Sequence, residues 1–81
     1  MKKEIILAQV TEILKDTAGV HGTVPPSANL KNYLPAAFLY AFATEVAKAY
    51  PKLDLTELAN SFYDPINNLN ALTDYIYDKY K

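Results

Sequence analysis

The stretch Leu34-Pro35-Ala36-Ala37-Phe38-Leu39-Tyr40-Ala41-Phe42-Ala43-Thr44-Glu45-Val46-Ala47-Lys48-Ala49-Tyr50-Pro51 carries a proline near each end. Pro35 fits the first position of a helix, where its missing N–H does no harm. Pro51 stops the helix, because the residue before a proline avoids the α region. The spacing predicts a helix over residues 34–50. Glu45 and Lys48 are its only charged side chains, and residues 36–43 are apolar all round. A chain of 81 residues cannot cover such a helix on every side. Part of its apolar surface is expected to stay in contact with solvent, and a contiguous patch of that kind marks an interface.

Working outward, residues 2–18 read as a first helix. Ile6, Val10, Ile13, Leu14 and Thr17 share one stripe, and Gly19 is a natural stop. Residues 19–33 form a long connection holding both glycines, Gly19 and Gly22, and two of the five prolines. Val20, Val24, Leu30 and Tyr33 can pin it to the bundle, so an ordered loop is expected rather than a linker. Residues 54–62 suggest a short third helix, capped by Asp54 or Thr56, with Leu55, Leu58, Ala59 and Phe62 inward. Residues 65–80 make a fourth, starting at Asp64-Pro65 or at Asn67 or Asn68, with Leu69, Leu72, Ile76 and Tyr80 as its stripe. No strand-like alternation, internal repeat or low-complexity tract is present. The expected fold class is all-α: a four-helix bundle in one domain, residues 1–81, with a long first loop and a short third helix.

Composition narrows the function. Hydrophobic residues are 51% and charged residues 21%, which suits a folded domain and not a disordered chain. At this size about 60–65% of the unfolded surface can be buried. There is no cysteine, which excludes disulfides, thiolate metal sites and a thiol nucleophile. Net charge is −1, with 8 lysines and no arginine, so the basic excess of a nucleic-acid binder is missing. The apolar run Ile5-Ile6-Leu7-Ala8 is too short for a signal peptide or a bilayer span. The expectation is a soluble cytoplasmic domain.

The layout resembles the acyl carrier protein family over nearly the whole chain. Val10-Thr11-Glu12-Ile13-Leu14-Lys15-Asp16 is similar to that family's first helix. Leu34-Pro35-Ala36-Ala37-Phe38-Leu39 stands where the family typically reads Leu-Gly-x-Asp-Ser-Leu. Residues 66–76, Ile-Asn-Asn-Leu-Asn-Ala-Leu-Thr-Asp-Tyr-Ile, resemble its last helix, commonly Ile-Thr-Thr-Val-x-x-x-x-Asp-Tyr-Ile. The resemblance implies a phosphopantetheine arm on a serine at the start of the second helix. This chain departs there. One register puts Phe38 at the serine and Ala37 at the aspartate; the other puts Ala36 at the serine and Pro35 at the aspartate. Neither supplies a hydroxyl, no serine lies between Ser27 and Ser61, and Thr44 sits two turns in. Without a hydroxyl there is no nucleophile to load. The family's acidic second helix is also absent, which weakens steering to basic partner enzymes.

These residues lead to a non-catalytic, carrier-like interaction module without cofactor. Its expected contact surface is Tyr33, Leu34, Phe38, Tyr40 and Ala41, with Phe38 as anchor. The partner would be an enzyme of fatty-acid or polyketide type, another carrier protein, or a second copy of the chain. Three alternatives stand beside it. One is a genuine acyl carrier whose serine was replaced at Ala36, carrying phosphopantetheine in its unaltered form. Another is a non-covalent acyl-chain binder. The third is a small helical inhibitor unrelated to carriers.

The remaining chemistry-bearing residues read as structural. Tyr75, Tyr77 and Tyr80 pack on the last helix or its rim, and no sequence neighbour tunes a phenol for acid–base work. His21 has no clustered partner for a metal. Asp54, Glu57 and Asp64 match neither a calcium loop nor a paired acid–base site and suit capping and solvation. Ser27 and Ser61 lack a neighbouring base, and Gly19 and Gly22 make no phosphate loop. No enzyme signature is present.

Overall fold

A computed structural model describes residues 1–81. The chain is all-α, with four helices: α1 Lys3–Ala18, α2 Leu39–Ala49, α3 Leu55–Ser61 and α4 Leu69–Tyr80. Helix α1 lies between α2 and α4 and packs on both, and α3 packs on α2. The buried residues of α1 are Ile6, Val10 and Leu14, the centre of the stripe that periodicity picks out, while Ile13 and Thr17 sit at its edge. They meet Phe42, Ala43 and Val46 of α2 and Leu69, Leu72 and Ile76 of α4 in one core. Phe42 stacks on Phe62 with ring centroids 5.4 Å apart.

Local chemistry sets the ends. Gly19 takes the left-handed conformation, φ 67°, that glycine adopts without a Cβ penalty. Val20 N–H then reaches back to the Lys15 carbonyl at 3.0 Å, which closes α1. Asp54 caps α3 by accepting from Glu57 N–H at 3.0 Å. Asn68 caps α4 by accepting from Ala71 N–H at 2.7 Å. Of the candidate starts for the last helix, Asn68 is the one used. Asp64-Pro65 falls instead in the turn after α3, where Tyr63 has φ 74°, Tyr63 N–H bonds the Ile66 carbonyl, and Phe62 and Ile66 form an isolated bridge.

The second helix starts later than the two prolines suggest. Pro35 is extended, with ψ 146°, and residues Ala36–Phe38 form a 3-10 turn before α2 begins at Leu39. Pro35 has no side-chain acceptor, and the first turn carries no acid. The opening N–H groups therefore have no side-chain cap, and the tighter 3-10 pattern takes over at the helix end. The connection over residues 19–33 is pinned as expected: Val24 and Leu30 are buried, and Val20 and Tyr33 are half-buried. Leu30 N–H donates to the Asn67 carbonyl at 2.8 Å and Asn70 N–H to the Pro26 carbonyl at 3.1 Å, which ties the loop to the start of α4.

Tyrosines finish the seams. Tyr50 Oη donates to Gln9, joining α2 to α1. Tyr80 Oη accepts from Lys52 N–H at 2.9 Å, and its ring meets Tyr50 edge-on at 5.7 Å. Four lysines lie over tyrosine rings: Lys3 on Tyr77, Lys31 on Tyr63, Lys52 on Tyr80 and Lys79 on Tyr75.

Candidate functional site: the apolar face before and within the second helix

The late start of α2 decides what this segment shows. Pro35, Ala36, Ala37, Phe38, Tyr40 and Ala41 are all exposed, while Leu39 turns partly inward. Phe38 is 43% exposed and Tyr40 is 60% exposed. Every other aromatic residue of the chain is in the core or packed against it: Phe42, Phe62, Tyr50, Tyr33, Tyr63, Tyr75, Tyr77 and Tyr80. Phe38 and Tyr40 stand apart from it, on a surface with no charged side chain from Pro35 to Thr44.

Of the residues assigned to this surface from sequence, the structure brings Phe38, Tyr40 and Ala41 to solvent and leaves Tyr33 half-buried. Leu34 is a correction: it is fully buried and belongs to the core. The extended backbone at Pro35 puts Leu34 outside the helix, so its direction does not follow from helical periodicity. Its carbonyl accepts from Tyr63 Oη at 2.5 Å, which fixes the floor of the exposed segment to the turn after α3. Ala36 and Phe38, the two positions matching the carrier serine, both lie on the exposed face, and neither bears a hydroxyl.

No protein-family model, curated protein or solved structure matches the chain. No helix is long and apolar enough to cross a membrane. A surface depression is lined by Met1, Lys2, Lys3, Glu4 and Tyr77, and by none of residues 33–41.

A second cluster is invisible in sequence because its members are far apart in the chain. Glu57 Oε1 accepts from Tyr75 Oη at 2.6 Å and from Lys79 Nζ at 3.3 Å. The bond from Tyr75, then the ammonium of Lys79, holds the Glu57 carboxyl below its ordinary value. Burial and then the bond to Glu57 push the Tyr75 phenol well above its ordinary value. Tyr75 thus has a tuning partner that sequence reading did not supply. The tuning keeps the phenol protonated, the wrong direction for a base near neutral pH. Two smaller shifts belong to packing. Burial, then Tyr80, raises Tyr50, and the bond to Asp74 raises Lys3, whose ammonium lies 3.1 Å from that carboxylate. His21 is exposed on the first loop.

Proposed function

We propose that the chain is a non-catalytic protein-interaction module of carrier-like architecture that works without a phosphopantetheine arm. One observation carries it: Phe38 and Tyr40 are the two aromatics left outside the core, both exposed in a segment with no charged side chain from Pro35 to Thr44. An aromatic left in water gives up burial worth about 2 kcal/mol, and aromatics of this kind anchor interfaces. The carrier-like reading is supported by the four helices, the long first connection and the short α3. The contact surface is Phe38, Tyr40 and Ala41, flanked by Pro35, Ala36 and Ala37 and edged by Tyr33. Its partner is an enzyme of fatty-acid or polyketide type, a second carrier protein or another copy of the chain.

Two experiments test the two halves of this reading. For the surface, the wild-type chain is compared as bait with Phe38→Asp and Ile5→Asp. Ile5 is 60% exposed and lies on α1, so it controls for a new charge at an exposed apolar site. A specific partner should bind at least about 30-fold more weakly to Phe38→Asp, the loss of one anchor residue, and normally to Ile5→Asp. Helicity should be unchanged in both, because neither side chain packs in the core. Equal behaviour of the two variants, or unfolding of Phe38→Asp, sinks the surface assignment. For the missing arm, the chain is incubated with coenzyme A and a broad-specificity phosphopantetheinyl transferase, and its intact mass is measured. No change is expected. A gain equal to the arm would make it a genuine covalent carrier.

A further inference from the structure

Helix α3 is held differently from the other three. It has seven residues, about two turns, too few to be stable alone. Leu58 is its only fully buried residue, and its helix packing is with α2. It leaves through Tyr63, whose φ of 74° is costly for a bulky side chain. Across the gap to α4 the side-chain bonds converge on one carboxylate oxygen, Glu57 Oε1, which takes both the Tyr75 phenol and the Lys79 ammonium. The side chains of Glu57 and Lys79 are 52% and 41% exposed, so solvent protons reach the pair freely.

We propose that α3 is an acid-releasable element, latched to α4 through Glu57, so that protonating Glu57 loosens α3 while α1, α2 and α4 stay packed. Protonation cancels the charge that draws Lys79 and weakens both bonds that Oε1 accepts, since a neutral carboxyl oxygen is a poorer acceptor than a carboxylate. The groups facing Glu57 are Asp54 on its own helix and Tyr75 and Lys79 on α4. On α2, which packs on α3, Glu45 and Lys48 pair with each other at 3.1 Å. Asp54 raises Glu57 toward easier protonation, and Tyr75 and Lys79 oppose it. The three longer helices keep contacts of their own without α3, since α1 packs on both its neighbours. This inference stands independently of what binds the Phe38 face.

Amide hydrogen exchange on the full chain tests it. The probes are the amides of Leu58 to Ser61 against those at the centres of α1 and α4. At neutral pH, Glu57→Gln should raise exchange in α3 about twofold to fivefold, the range for losing a half-exposed ion pair. The α1 and α4 amides should not move, and Glu45→Gln should change nothing in α3. With intrinsic rates corrected, and with Asp54→Asn in the background to keep the cap without a titrating carboxyl, acidifying the chain from about pH 7 to 3 should reproduce the effect, and acidifying the same background carrying Glu57→Gln should add little. No change in Glu57→Gln, an equal effect of Glu45→Gln, or loss of protection in all helices together would each overturn the proposal.

Discussion

Thr73 is buried on the inner side of α4, and its hydroxyl has no hydrogen-bond partner. Two other helical threonines solve the same problem by bonding one turn back, Thr11 to the Leu7 carbonyl at 2.6 Å and Thr44 to the Tyr40 carbonyl at 2.8 Å. An unsatisfied buried hydroxyl costs about 1–3 kcal/mol. Thr73→Val replaces it with a methyl group of the same shape and should stabilise the fold by about 1 kcal/mol. The check is a urea midpoint that rises with an unchanged slope; a fall would mean that the hydroxyl is satisfied in solution. The same scale shows why Leu34 misleads when read as part of a helix. Its apolar side chain is equally suited to core or surface, and the choice is made by the ψ of 146° at Pro35, a backbone detail no spacing rule encodes. Phe38 and Tyr40 were legible because the apolar run around them exceeds what one inward face can absorb.

At the scale of elements, caps explain what was readable. The short third helix was visible because Asp54 is a strong N-cap ahead of a periodic run, and Asp54 is the residue used. The first helix was visible from its stripe and its terminal glycine. The fourth offered rival starts, and Asn68 prevails because its side chain reaches Ala71 N–H while Ile66 is committed to the core. Asn68→Ala should therefore cost about 1 kcal/mol. Thermal unfolding by circular dichroism would read it, and Asn67→Ala should cost less, because its side chain only accepts from the Asn68 amide at 3.2 Å and does not bond the helix backbone. The Glu57–Tyr75–Lys79 contact was not readable at all. It joins positions 18 and 22 residues apart across two helices, and only their packing brings them together.

For the whole molecule, accessible surface is 4672 Å², against roughly 13,000 Å² for an unfolded chain of this mass. About 65% is thus buried, at the upper end of the range expected from length, so the core is complete for its size but small. Titration then matters at both ends of the pH range. Glu57 is depressed from an ordinary value of 4.5. Its contribution is present above that pH and is lost as pH falls through the lowered value. Tyr50 and Tyr75 are raised above 10.0, and Lys3 above 10.5. Their contributions are complete below those values and are lost as pH rises through the raised ones. Melting temperature should therefore be flat from about pH 5 to 9.5 and fall on both sides. A steep change near neutrality would mean that a different group controls stability.

The lysine–tyrosine pairs make the fold easy to watch. Lys3, Lys31, Lys52 and Lys79 hold their ammonium groups 4.9–5.5 Å from a ring centroid. Circulating π electrons shift the resonance of any nucleus above a ring face upfield. Labelled by reductive methylation with ¹³C, these four lysines should separate from Lys2, Lys15, Lys48 and Lys81, whose amines lie over no ring. Three report joints: α1 on α4, the first loop on the turn after α3, and the turn before α3 on the end of α4; the fourth, Lys79 on Tyr75, lies within α4 and reports that helix beside Glu57. The chain thus carries its own set of magnetic gauges, and their return to random-coil positions would show the order in which its joints open.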